Sequence, residues 1–259
     1  MCLIFLAIDQ HPAYKLVIAA NRDEFYKRRT APAHFWEDQP AIVGGRDLEA
    51  SGTWMAMNRN GRISMVTNYR DPFNINPAAP SRGQLVSDYL IGDTQADHYL
   101  KAVAIRGKDY NGFNLITGTP ESLHYYSNYK GTVEQVPPGL HGLSNHLLNT
   151  PWPKVERGKA KMASLLVNQQ LVPDQLFDLL RDEDRAADTQ LPDTGIGLER
   201  ERALSSMFIK TTGYGSRCST VVLIDRDNNV QYVERVYNTE TFEYTTQAFT
   251  FTINGKNNQ

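Results

Sequence analysis

Cys2 is the residue of this chain with the most direct route to chemistry. It follows Met1 and opens the apolar run CLIFLAI. Methionine aminopeptidases remove an initiator methionine when a small residue such as cysteine comes next. The product would carry a thiol and a free α-amine on one residue. An α-amine titrates near pH ~8, so an appreciable fraction is neutral at neutral pH and can take the thiol proton without a histidine. A thiolate formed this way attacks an amide, ester or thioester carbonyl. The oxyanion that develops needs hydrogen-bond donors, which asparagine amides supply. The competing reading of Cys2 is a small, inert thiol buried at the start of a strand.

A second cluster closes the next apolar run, KLVIAA. There Asn21, Arg22, Asp23 and Glu24 follow one another. On a strand, Asn21 and Asp23 face one way, and Arg22 and Glu24 the other. An arginine at a buried sheet end orients a carboxylate or steadies a thiolate. A solvated turn is the alternative, and spacing leaves open which pair looks inward.

Strands and helices must bring such side chains together. CLIFLAI and KLVIAA read as strands joined by DQHPAY, and GTWMAM and RISMVTN as strands joined by NRNG, where Asn60-Gly61 signals a hairpin. The near-continuous apolarity of the first strands predicts cover on both faces. Ser81 is placed to cap a helix over SRGQLVSDYLIGD, and Thr94 one over TQADHYLKAVAIRG, with Gly107 beyond its end. FNLITGT and SLHYYSN form a hairpin turning at Thr119-Pro120, and GLHGLSNH follows the turn VPPG. Helices near 153–169 and over PDQLFDLLRD begin with prolines, which suit a first turn. Residues 182–200 are acidic, contain Pro and Gly, and read as a surface loop that could cover a site. Strands return as SSMFIKTT, CSTVVLID, VQYVERVY and TFEYTTQAF, and the tail NGKNNQ is expected to be disordered. VGGRD and GSR read as glycine turns, with Gly44, Gly45 and Gly52 permitting close approach or positive φ. Trp54 reads as core or pocket wall, and Tyr125, Tyr126 and Tyr129 as sheet packing or an aromatic surface. The order implies an α+β chain with two antiparallel sheets between helical layers, in one domain over 1–259.

The chain resembles the NRDE protein family, also known as transport and Golgi organisation protein 2. Met1-Cys2 before an apolar strand, ANRDEF, GGRD, GTWMAMNRNGRISMVTNYRD, SRG, GLSN and RCSTVVLID carry the resemblance over residues 1 to 225. Such proteins resemble cysteine-type N-terminal nucleophile hydrolases, including penicillin and bile-salt amidases. The resemblance implies a four-layer αββα sandwich. It also implies a site. Cys2 would be nucleophile and base, and Asp23 would bind the α-amine with Arg22 beside it. Asn68 and Asn145 would hold the oxyanion, and Arg217 would supply a second cation. One departure matters: in the amidases two residues separate the first arginine from the aspartate, whereas here Arg22 and Asp23 adjoin, so Glu24 is a rival carboxylate. Taken singly, Asn68 and Asn145 read equally as turn residues and Arg217 as a surface cation.

Composition sets outer bounds. The chain has 259 residues, 41% hydrophobic and 22% charged, with a formal net charge of −2, so it carries no basic field for nucleic acid or anionic lipid. The longest apolar stretch falls far short of the ~20 residues of a membrane span, and Asp9 ends the first apolar run too early for a signal peptide. Cys2 and Cys218 alone suit a reducing compartment better than a disulfide framework, so a cytoplasmic location is expected. His141 and His146 flank GLSN without a supporting cluster, and no metal site is expected. No phosphate-binding glycine motif is present. Two functions follow from the resemblance and the residues together. One is a hydrolase, needing no cofactor, that cleaves an amide or thioester of a small acyl substrate. The other is a non-catalytic protein on the same sandwich that carries haem or handles lipid.

Overall fold

The computed structural model describes residues 2–254. In chain order its strands are β1 (Cys2–Ile8), β2 (Tyr14–Phe25), β3 (Thr30–Phe35), β4 (Ile42–Asp47), β5 (Met55–Asn58) and β6 (Ile63–Asn68). Helices α1 (Arg82–Ile91) and α2 (Ala96–Ile105) follow, then β7 (Phe113–Thr119), β8 (Ser122–Ser127), β9 (Val133–Gln135) and β10 (Gly139–Leu143). Helices α3 (Pro153–Leu166), α4 (Pro173–Leu180) and α5 (Leu198–Ala203) precede β11 (Lys210–Thr211), β12 (Tyr214–Asp225), β13 (Asn229–Tyr237) and β14 (Tyr244–Thr252).

The strands form two antiparallel sheets. One runs β10-β1-β2-β12-β13-β14, with β11 added to β12; the other runs β3 through β9 in sequence. Strand periodicity explains the layers. Along β1, Cys2, Ile4, Leu6 and Ile8 face the second sheet, while Leu3, Phe5 and Ala7 face α3 and α4. Met55, Met57 and Met65 answer them from β5 and β6. On the far face of the second sheet, Ala56, Val66, Phe113 and Leu115 pack under α1 and α2 through Leu85, Val86, Tyr89 and Leu100. The result is the expected αββα sandwich. Each large apolar side chain buried in these layers stabilises it by about 1.5–3 kcal/mol relative to exposure.

Some local expectations change. β2 runs on to Phe25, so Asn21 to Glu24 are strand residues and no turn interrupts them. VGGRD lies in β4, and β3 precedes it. A Cβ on Gly44 would stand 2.5 Å from that of Ala56, so close approach, not positive φ, requires glycine there. SSMFIKTT yields strand only at Lys210–Thr211. α2 begins after Gln95, one residue past Thr94, and the stretch 182–200 already enters α5 at Leu198. Tyr125 and Tyr126 are buried on opposite faces, and only Tyr129 reaches the surface. The tail beyond Asn254 and the fate of Met1 lie outside the described residues. Among the described residues, no helix is long and apolar enough to cross a membrane.

Candidate active site

Strand register assembles the site. Cys2 on β1 pairs with Arg22 on β2, and Arg22 pairs on its other side with Cys218 on β12. All three face the space between the sheets, because Ile4, Ala20 and Val222 do so at matching parity. Two strand spacings of ~4.8 Å separate the cysteines, beyond the ~7 Å Cα limit for a disulfide. Both are free thiols.

The register also answers which half of the NRDE tetrapeptide looks inward. Arg22 and Glu24 face the inter-sheet side, with Arg22 Nη2 3.6 Å from Glu24 Oε2. Asn21 faces the helical layer, where its Nδ2 donates to the carbonyls of Leu180 and Met207, both at 2.9 Å. Asp23 is 1% exposed and its Oδ1 accepts the Ser216 hydroxyl at 2.6 Å.

A β-bulge aims Arg217. Ser216 pairs with Asp23 and Cys218 with Arg22, which leaves Arg217 as the extra residue. Its Nη1 donates to the carbonyls of Phe25, Tyr26 and Arg28 at 3.1, 3.2 and 2.6 Å, tying down the turn after β2.

A cavity of about 320 Å³ opens at this end of the sandwich. Of the six residues named from the resemblance, Cys2, Arg22, Asp23, Asn68 and Arg217 line it. Asn145 is not among its lining residues. It is fully buried, and its Nδ2 donates to the Asn68 carbonyl at 3.0 Å while its own carbonyl accepts the Arg70 N–H at 2.7 Å. Trp54 belongs to the inter-sheet core and also lines the cavity. His141 and His146 stay outside it, bonded to Pro137 and Thr150.

Electrostatics give the cavity a sign. Arg22, Arg28, Arg46, Arg82 and Arg217 line it against Asp23, Glu24, Asp47 and Glu234. Burial pushes the Asp23 carboxyl up, against the pull of the nearby Lys154 cation. Burial also pushes up that of Glu234. Burial thus works against ionisation at two of the four acids. Burial raises the Cys2 thiol to about 11, with Arg22 pulling it down and Asp23 pushing it up. A thiol in that range is inert at neutral pH until a base stands beside it. Among the described residues, no group of three or more His, Cys, Asp or Glu is placed to hold a metal.

The residue reading missed Glu234 and Arg82, which line the cavity, and, outside its lining, Lys154 and the pair Arg70–Glu201. Glu234 Oε1 accepts the Ala33 N–H at 2.6 Å, so a side chain of one sheet bonds the backbone of the other. Its signal was a lone acid inside VQYVERVY, at inward parity. Arg82 sits in SRG at the start of α1 and donates to the Gly112 carbonyl at 2.9 Å. Lys154 carries only a weak mark in the sequence, a cation in a first helical turn, where the helix dipole favours acids.

Comparison with known proteins agrees with this architecture. The family model for Transport and Golgi organisation 2 matches residues 1–239. The chain is 36% identical over 280 residues to the Transport and Golgi organization 2 homolog of Mus musculus, covering 98% of this chain and 99% of that protein. The Homo sapiens homolog is 36% identical over 278 residues, with 96% and 100% covered. The Drosophila melanogaster protein is 30% identical over 269 residues, with 90% and 91% covered. Among solved structures, two variants of a conjugated bile acid hydrolase from Clostridium perfringens superpose with TM-scores of 0.54 and 0.51, at 9% and 10% identity, each covering 98% of this chain and 97% of the other. Identity that low speaks for the fold alone, which is that of the N-terminal nucleophile hydrolases. On the match over residues 1–239 and these relatives, the chain belongs to the Transport and Golgi organisation 2 family.

Proposed function

We propose that the chain, once Met1 is removed, is a cysteine N-terminal nucleophile hydrolase that cleaves an amide or thioester bond in an anionic acyl substrate. The observation that carries this is the placement of Cys2 opposite Arg22 in an arginine-lined cavity. In this reading the α-amine of Cys2 takes the proton from Sγ. Sγ then bonds the substrate carbonyl carbon, and the carbonyl oxygen becomes an oxyanion beside Asn68. Asn145 fixes Asn68 from behind through the bond to its carbonyl. The tetrahedral centre collapses, and the leaving amine or thiolate takes the proton from the α-ammonium. Water, deprotonated by the same amine, cleaves the thioester to the enzyme and restores the thiol. Arg22 and Arg217 offset negative charge on sulfur and substrate. The free thiols of Cys2 and Cys218 suit a reducing compartment, so the cytoplasm is the location proposed.

The test is labelling with an electrophilic acyl probe after intact mass has shown loss of Met1. Cys2→Ala should abolish labelling. Labelling that survives this change sinks the proposal. A second reading, haem as cargo, draws on the two cavity thiols as axial ligands and the arginines as partners for propionates. Among the described residues, no histidine lines the cavity. A haem titration without a Soret shift rules this reading out.

A further inference from the structure

Arg82 lines the cavity together with Cys2 and Asn68, yet the steps above give it no part. It is the first residue of α1 and is half-buried. A close backbone approach fixes where that helix starts. A Cβ on Gly52 would stand 2.5 Å from the Gly83 carbonyl carbon, so α1 begins in contact with the segment leading into β5. The Thr53 N–H donates to the Gly83 carbonyl at 3.3 Å across the same contact.

The guanidinium is held by one corner. Its Nη1 donates to the Gly112 carbonyl at 2.9 Å, and the same carbonyl accepts the Tyr69 N–H at 2.9 Å. Tyr69 follows Asn68, so Arg82 is tied to the backbone next to the proposed oxyanion donor. The other edge, Nε with Nη2, makes no hydrogen bond and has no carboxylate within 4.0 Å among the described residues. That edge is the fork with which an arginine grips a carboxylate side-on. Elsewhere in this chain Arg157 Nε and Nη2 hold Asp182 at 3.1 and 3.2 Å, and Arg202 Nε and Nη2 hold Asp188 at 2.7 and 2.5 Å. The remaining arginines of the cavity are engaged. Arg22 lies 3.6 Å from Glu24, Arg28 Nε donates to Asp47 at 2.7 Å, Arg46 Nη2 donates to Asp38 at 2.9 Å, and Arg217 holds backbone carbonyls. Glu24 serves Arg22 and, at 4.0 Å, Arg28. Burial pulls the Arg82 guanidinium down from the ordinary arginine value, the mark of a cation partly stripped of water.

We propose that Arg82 is a specificity-determining residue of the hydrolase: its free Nε/Nη2 edge grips a carboxylate that the substrate carries a few atoms from the bond cleaved by Cys2. The inference rests on the hydrolase reading and adds the group that marks the substrate. A cavity of about 320 Å³ suits a small acid of this kind.

The experiment follows acylation of Cys2 by mass spectrometry, on protein shown to lack Met1, with two pairs of thioesters. S-succinyl-N-acetylcysteamine and its methyl ester differ by a carboxylate on the acyl side. S-acetyl-3-mercaptopropionate and its methyl ester differ by one on the leaving thiol. In every case Sγ takes the acyl group and the thiol departs. Wild type should react faster with the charged member of one pair, by about 10–100-fold at low concentration, the worth of a charged bidentate contact. The pair that responds shows which side of the bond carries the acid. Arg82→Gln and Arg82→Lys should both erase the preference by raising the half-saturating concentration, with the limiting rate and the reaction of the methyl esters unchanged. Lysine fails here because it keeps the charge and loses the fork. Wild type that is acylated without preference in either pair overturns the inference. Folded variants that slow charged and uncharged probes alike overturn it too, and both results leave Cys2 a nucleophile. Wild type acylated by none of the probes counts against the hydrolase reading. In that case, and should the variants fail to fold, the Arg82 Nε–H resonance of the wild-type protein decides during titration with succinate. A saturating shift is expected, and a resonance that does not move overturns the inference.

Discussion

Glu234 shows what one side chain does for the cavity. It stands on β13 at 1% exposure, accepts the Ala33 N–H from the opposite sheet, and takes the Thr220 hydroxyl at 3.3 Å. Glu234→Ala leaves both donors buried without this partner, and should cost about 1–3 kcal/mol in urea unfolding. Glu234→Gln keeps an acceptor for Ala33 and should cost less. The two differ from wild type in pH dependence as well. Burial holds the folded carboxyl above its ordinary range, whereas in the unfolded chain it ionises near pH ~4.3. Its contribution is therefore full below that value and is lost as pH rises through the folded pKa. Unfolding measured at a series of pH values should show this loss in the wild type and not in Glu234→Gln. Part of the cavity lining was legible as residue types. Cys2, Arg22, Asp23, Asn68 and Arg217 were named from the chain and its resemblance, and they meet in one cavity. Glu234 and Lys154 were not, because a charge inside an apolar strand or a first helical turn has no meaning until its neighbours in space are known.

At the level of elements, α3 is held against β1 by a glycine and against the 182–200 stretch by charge. A Cβ on Gly158 would stand 2.0 Å from Phe5 Cζ. Gly158→Ala gains helix propensity of about 1 kcal/mol. It must also displace a fully buried ring in a close-packed layer, which costs about 1–3 kcal/mol. The clash should win, lowering the denaturation midpoint. Asp182 accepts Arg157 Nε at 3.1 Å and bonds Lys161 Nζ, both from α3. Burial pushes its carboxyl up, but Lys161, the Asp184 N–H and Arg157 outweigh that and hold it low. Asp182→Asn should cost about 1–3 kcal/mol at neutral pH. The penalty should vanish as pH falls below the ordinary carboxylate range near ~3.9, where the wild-type group loses its charge too. Elements with continuous apolar runs, such as β1, β7 and β12, were legible because burial on both faces leaves that trace. β3 and β4 were not, since TAPAHF and IVGGRD carry the proline and glycines that mark turns. SSMFIKTT misled in the opposite sense. Met207, Phe208 and Ile209 are buried as a strand would bury them, yet the backbone there spends bonds elsewhere, with the Met207 carbonyl taken by Asn21.

Across the whole molecule, the two sheets share one apolar interior, in which Cys2, Ile4 and Ile18 meet Met55, Met65 and Ile116. Neither sheet has an inner face that stays covered without the other. Calorimetry should accordingly show a single transition over the whole chain, and two resolved transitions would contradict a single domain. The layer order was legible from the succession of strands and helices, because hairpin turns force antiparallel neighbours. The cavity was not, since it exists only where the start of β1, the end of β2, the bulge of β12 and the start of α1 converge. That convergence has a practical edge for anyone preparing the protein. Under the proposed mechanism, a purification handle fused ahead of Cys2 would deny the aminopeptidase its cut and leave the thiol without a free α-amine on its own residue. Hydrolysis assays on such material would report an inert protein. A handle after β14, on the outer edge strand of its sheet, avoids that false negative.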